Sequence, residues 1–274
     1  MHNINIIRAN EALPQTYIAL TIAGSDPSGG AGIQADLKTF HQFGVYGEAA
    51  ITVITVQNSV RLSRAVVLPP DLVLEQIAAV LEDIPPLAAK TGALGSAEMI
   101  SAGARAAARF RFPLVVDPVM VSKQGVALLP DSAIDTLREE LLPRAALVTP
   151  NLPEAEALTG LTILTLDDMR DAARRILEMG ARAVLIKGGH LDEDSTDLLL
   201  DGAASHEFPA PRIPTPHTHG TGCTYSAAIT AGLARGMPLA EAVARAKRFI
   251  HVAIRTSPGL GHGSGPVNHH AEVE

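Results

Sequence analysis

The chain has 274 residues, 47% of them hydrophobic, so it can bury a large core, and disorder is not expected. A formal net charge of -7 argues against nucleic acid or an anionic membrane as the main partner. A single cysteine excludes an internal disulfide and fits a reducing, cytoplasmic setting.

Residues 1–16 lack a long apolar stretch and read as a loose extension, neither signal peptide nor anchor. Short β-rich runs then recur at 17–23, 49–56, 87–92, 113–118, 145–151 and 183–189, with helical spacing between most of them. That alternation predicts one α/β domain over 17–268, with a mostly parallel central sheet, helices on both faces, and a tail at 269–274. In such sheets ligands bind beyond the carboxyl ends of the strands. Here those ends carry Gly24-Ser25-Asp26, Gln57-Asn58, Lys90-Thr91-Gly92, Asp117, Asn151 and Lys187-Gly188-Gly189.

GSDPSGGAG (24–32) lies between a strand and a helix, where glycines free backbone amides for a ligand. Its spacing is not GxGxxG, which argues against a dinucleotide loop. On the helix that follows, about 31–43, Asp36 shares the apolar arc of Ile33 and Phe40. A carboxylate there is costly unless paired or bound to something. It is either an acid favoured by the helix dipole or a ligand acceptor.

In TPNLPEAEALTG (149–160), Asn151 and Glu154 have the spacing of a magnesium-holding pair and equally of a helix cap. Lys187 in IKGGH (186–190) suits contact with nucleotide phosphates, but no GxxxxGK[ST] loop is present. DLLLDG and SHEF read as a short hairpin. THGTGCT (218–224) then opens a small-residue helix, with Gly236 as its C-cap. Gly220 and Gly222 expose successive amides, an anion hole suited to a transferred phosphoryl group. Cys223 stands at this positive helix end, which favours thiolate and would let it take a proton from a substrate hydroxyl. A last helix spans roughly 238–256, with Leu239, Val243, Ala246 and Ile250 on one face. His217 and His219 do not form a metal set, and GHGSG (261–265) reads as a mobile terminal loop.

Taken in order, LTIAGSDPSGGAGIQADLKTF, VQNS, KTGALGS, VVDPVM, LVTPNLPEAEALTG, VLIKGGH, THGTGCT and the closing GPV resemble the hydroxymethylpyrimidine/phosphomethylpyrimidine kinases of the ribokinase-like fold, over about residues 17–268. The resemblance implies ATP-dependent phosphorylation of a pyrimidine alcohol and then of its monophosphate, in thiamine synthesis. Gly24, Asp36 and Gln57 would then hold the aminopyrimidine, and Val119 would pack on its ring. Gly220, Gly222 and Cys223 would form the anion hole, with Cys223 in place of the aspartate base usual in ribokinases. Asp117, Asn151 and Glu154 would organise Mg²⁺ and phosphates, with Asp117 and Glu154 on the metal, while Lys187 and Thr221 would face ATP. Residues 58–68 would form a flap, and a homodimer is expected. The rival within the fold is a pyridoxal kinase. From another class, a non-catalytic vitamin-binding regulator is disfavoured by the intact Cys223, Lys187 and Glu154.

Overall fold

The computed structural model describes residues 16–189 and 195–273. Residues 1–15 of the extension, His190 of the IKGGH motif and the last residue of the tail lie outside that range. The strands are β1 (Tyr17–Ser25), β2 (Val45–Gln57), β3 (Leu62–Val67), β4 (Ala88–Thr91), β5 (Leu114–Val116), β6 (Leu147–Val148), β7 (Ala183–Ile186), β8 (Asp197–Asp201) and β9 (Ala204–Phe208). They form one sheet in the order β3-β2-β1-β4-β5-β6-β7-β8-β9. The stretch from β2 to β7 is parallel. β3 and the β8–β9 hairpin close the two edges in antiparallel fashion.

Parallel strands are buried on both faces, and their side chains alternate between the two covering layers. Leu20, Ile22, Leu114 and Val116 enter one core, while Ala19 and Val115 enter the other. The helices are α1 (Gly32–Gln42), α2 (Pro70–Asp83), α3 (Ala97–Ala107), a single turn α4 (Ile134–Thr136), α5 (Leu152–Thr159), α6 (Leu166–Glu178), α7 (Thr221–Ala234) and α8 (Leu239–Arg255). The first core draws on α2, α3, α5 and α6, and the second on α1, α7 and α8. Within α7, Tyr225, Ala227, Ala228, Ile229 and Ala231 are all buried. The small residues among them let that helix lie close against the sheet and bring its first turn to the strand ends. Among the described residues, no helix is long and apolar enough to cross a membrane.

One buried acid works against the fold. Glu48 on β2 is 9% exposed, and its Oε2 has no hydrogen-bond partner among the described residues. Burial, reinforced by Asp83, pushes its carboxyl up from 4.5 to about 7. The folded state therefore holds a proton that the unfolded chain releases near 4.5. The stability tied to this group is complete below that pH and is lost as pH rises towards 7. Glu48→Gln should stabilise the protein by about 1 kcal/mol at pH 8, a figure discounted for the carboxyl's partial access to water, and by nothing near pH 4. Urea unfolding at the two pH values checks this. An equal effect at both would mean that the charge carries no penalty.

Candidate active site

A cleft of about 1090 Å³ opens along the carboxyl ends of the parallel strands. Gly24, Gln57, Asp117, Val119, Asn151, Glu154, Lys187, Gly220, Thr221, Gly222 and Cys223 line it. Residues scattered over nearly 200 positions meet there because each parallel strand ends at the same edge of the sheet.

The turn before α7 is built on Gly220, the helix N-cap, at φ 78°. A Cβ at Gly220 would stand 1.7 Å from the Gly30 carbonyl oxygen, so this turn and the 24–32 loop touch backbone to backbone. A Cβ at Gly222 would stand 3.4 Å from Lys187 Nζ and 3.8 Å from Asp117 Oδ2. The ammonium thus lies beside the first turn of α7, so a cation and the free amides of a helix start come from two elements to the same part of the cleft. Thr221 spends its hydroxyl on the Thr218 carbonyl, at 2.8 Å.

Lys187 donates to Asp117 Oδ1 at 3.0 Å. The other Asp117 oxygen accepts from Ser226 on α7, at 3.2 Å. Burial alone would raise the Asp117 pKa, but Lys187 and Lys90 outweigh it and hold the carboxyl below its usual range. Asn151 and Glu154 form a reciprocal capping box at the start of α5: Glu154 N–H donates to Asn151 Oδ1 at 2.9 Å, and Asn151 N–H to Glu154 Oε2 at 2.8 Å. The helix-cap geometry is thus present. Burial nonetheless pushes Glu154 up to about 7, with Lys187 opposing and Asp117 adding to the rise. Among the described residues, no group of three or more His, Cys, Asp or Glu side chains is arranged to hold a metal.

Asp36 stands elsewhere than expected. It is fully buried and does not line the cleft. One oxygen accepts from Thr21 Oγ1 at 2.6 Å and the other from Lys90 Nζ at 2.8 Å. The apolar arc of α1 turns it into the sheet, where Lys90, itself 0% exposed, supplies the pairing a buried carboxylate needs. At Cys223 burial opposes the thiolate expected at a helix start. The residue lines the cleft half-buried, and burial pushes its thiol up to about 12; Lys90 pulls the other way, while Asp36 and Asp117 add to the rise.

Two residues that sequence reasoning passed over tie the site together. Asp26 is 2% exposed and accepts from the amides of Ser28, Gly30 and Ala31. It also lies 2.8 Å from His219 Nε2. Burial would raise Asp26, but bonds from His219, Ser28 and Gln57 keep it well below the usual carboxylate range. The signal was present in the strand-end Gly-Ser-Asp. The partner was not, because 193 residues separate the two.

Comparison with known proteins agrees with this arrangement. The sequence matches the phosphomethylpyrimidine kinase family over residues 26–268. It is 49% identical over 258 residues to a hydroxymethylpyrimidine/phosphomethylpyrimidine kinase of Bacillus subtilis, covering 93% of this chain and 95% of that one. It is 54% identical over 252 residues to a thiamine biosynthesis bifunctional protein of Geobacter sulfurreducens, covering 91% of this chain but only 51% of the longer relative. Among solved structures, a Bacillus subtilis pyridoxal kinase in complex with ADP superposes with TM-score 0.87 at 43% identity, covering 94% of this chain and 98% of that one. A phosphomethylpyrimidine kinase of Clostridium difficile gives 0.77 at 44% identity, covering 86% and 98%. A strand-end cleft lined by a glycine-rich turn, on a chain that matches this family over most of its length, places the protein in the phosphomethylpyrimidine kinase family.

Proposed function

We propose that the protein transfers the γ-phosphoryl group of ATP to hydroxymethylpyrimidine and then to its monophosphate, in thiamine biosynthesis. The observation that carries this reading is a single cleft lined both by phosphoryl-binding donors and by side chains suited to an aminopyrimidine ring. In one part the amides of the α7 turn lie near Lys187, a donor set for a transferring phosphoryl group. Elsewhere on its wall stand Gly24, Gln57 and Val119. Gln57 offers both a donor and an acceptor, which suits the ring nitrogen and amino group of an aminopyrimidine, and Val119 offers an apolar surface to the ring. Asn151, Lys187 and Thr221 serve the nucleotide. Asp36 supports the site from behind, through Lys90, rather than touching the ring.

Mg²⁺ fits the chemistry of the donors, since Asp117 and Glu154 are hard oxygen ligands at the Lys187 end of the cleft. When bound, the ion neutralises charge between the β- and γ-phosphates. Asp117 is already paired with Lys187 and Glu154 caps a helix, so these side chains are suited to hold the ion through water. The ADP and AMP-PCP complexes of related pyridoxal kinases support nucleotide use. We also propose a single domain over 17–268, a cytoplasmic location, for which the unpaired Cys223 is the support, and a homodimer. The dimer is supported by apolar side chains exposed along the β2–β3 edge, among them Ile54, Val56, Val66 and Val67.

A second reading, phosphorylation of pyridoxal, draws on the higher TM-score to the pyridoxal kinase. A panel of hydroxymethylpyrimidine, its monophosphate, pyridoxal and pyridoxine with ATP separates the two. The pyrimidines should be preferred, with activity lost in EDTA and regained with Mg²⁺. Gln57→Met leaves a ring polar group unpaired and should weaken pyrimidine use by about 10- to 100-fold while sparing pyridoxal. Preference of the wild type for pyridoxal would overturn the pyrimidine assignment.

A further inference from the structure

The C-terminal loop, expected to be mobile, is built into the site. Gly263 N–H approaches Ser59 Oγ at 3.4 Å. A Cβ at Gly263 would lie 2.3 Å from the Ser59 carbonyl oxygen, and one at Gly261 would lie 2.3 Å from Ser59 Oγ. These glycines therefore lie flat against the tip of the β2–β3 hairpin. The other end of the loop grips the anion-hole segment. Gly265 N–H donates to His217 Nδ1 at 3.2 Å, His219 N–H donates to the Gly265 carbonyl at 3.0 Å, and Val267 N–H donates to the His219 carbonyl at 3.3 Å. Ser264 Oγ–H adds a bond to the Pro216 carbonyl at 2.9 Å.

We propose that residues 259–266 are a strap that fixes the hairpin tip to the anion-hole segment and so positions Gln57 in the cleft. Gln57 is the last residue of β2, one position before the tip. The tip is stiff in itself: Asn58 Oδ1 accepts from the amides of Val60 and Arg61, and Asn58 N–H donates to the Arg61 carbonyl. A displacement imposed at Ser59 is therefore carried to Gln57 as a rigid movement rather than absorbed by the turn. On its far side the strap reaches His219, whose ring holds Asp26 of the 24–32 loop. One segment thus gives the hairpin and the anion hole a common reference, and the ring-reading side chain keeps its offset from the phosphoryl site.

Gly263→Ala is the sharpest test, because the new methyl meets hairpin backbone that no rotamer change can move aside. Amide exchange of residues 58–61 in the free protein should rise by about tenfold or more. The KM for hydroxymethylpyrimidine should rise by about tenfold and the KM for ATP by less than about twofold, as expected of a misplaced positioning group. His217→Ala, which removes one of the four bonds at the other end of the strap without touching the hairpin, should shift both readouts in the same direction by a smaller factor. Unchanged exchange at 58–61 in Gly263→Ala would overturn the strap. Raised exchange with an unchanged KM for hydroxymethylpyrimidine would overturn its role in positioning Gln57. The KM arm rests on the kinase reading proposed above. The exchange arm uses no substrate, so an error in the substrate leaves it standing.

Discussion

Cys223→Ala is expected to lower kcat by about 10²–10⁴-fold, the range typical of lost general-base help, with little change in ATP binding. The amides of the α7 turn survive this substitution, so the donors facing the phosphoryl group remain, and only the proton acceptor is lost. Because burial pushes the thiol up to about 12, only a small fraction is thiolate at neutral pH. That fraction grows about tenfold per pH unit below the pKa, so wild-type kcat should climb between pH 6 and 9 while the alanine variant stays flat. Cys223→Ser should be nearly as poor as alanine, since a serine hydroxyl ionises still less readily. Alkylation should be slow near pH 7, faster at pH 9 and blocked by bound pyrimidine. An alanine variant with near-normal turnover and a wild-type pH profile would reduce Cys223 to a packing residue, leaving the anion hole to carry the reaction.

Most of the fold was legible because its signals are local. The parallel strands fell on the apolar runs, while β3 lies within the 58–68 segment expected as a flap; α8 follows the predicted face, with Val243, Ala246 and Ile250 buried. The β8–β9 hairpin followed its turn residues in the same way. The start of β2 was less legible, since Val45 to Glu48 include a glycine and an acid that hide a strand inside the sheet.

The site divided along similar lines. Glycine turns and strand-end polar groups announce themselves, so Gly220, Gly222, Lys187 and Gln57 all line the cleft. Pairing across the chain does not announce itself. Asp36 read as either a dipole-favoured acid or a ligand acceptor because a carboxylate on an apolar arc needs a partner. Lys90 is that partner, from 54 positions away, and Thr21 helps. The same holds for Asp26 with His219, and for a C-terminal loop that looked free until its contacts with Ser59 and His217 were in view. Cys223 is a different case. Helix-end reasoning weighed the positive potential of α7 but not burial, which opposes a thiolate and pushes the thiol up to about 12.

The two glycines of the anion hole should fail in different ways when each is made alanine. Gly220 sits at φ 78°, where an L side chain costs about 1–2 kcal/mol before any contact is counted. Its Cβ would also meet the Gly30 carbonyl at 1.7 Å, which is backbone and cannot rotate away. Gly220→Ala should therefore force the α7 turn off the 24–32 loop, lowering Tm by several degrees and kcat/KM by about 10²–10³-fold, the loss typical of a misaligned oxyanion donor. Gly222 has no positive φ, and its Cβ would stand at ordinary contact distance from Lys187 Nζ and Asp117 Oδ2. Gly222→Ala should then leave Tm nearly unchanged. Its methyl would nonetheless project towards Lys187 Nζ and Asp117 Oδ2, where the phosphoryl group is proposed to stand. Turnover should fall by about 10²-fold or more, with ATP and the pyrimidine both bound more weakly. Thermal melts and steady-state kinetics on the two variants read these effects apart. A Gly222→Ala protein with wild-type Tm and wild-type kcat would mean that the phosphoryl group passes elsewhere, and that the α7 turn is only a helix start packed against a neighbouring loop.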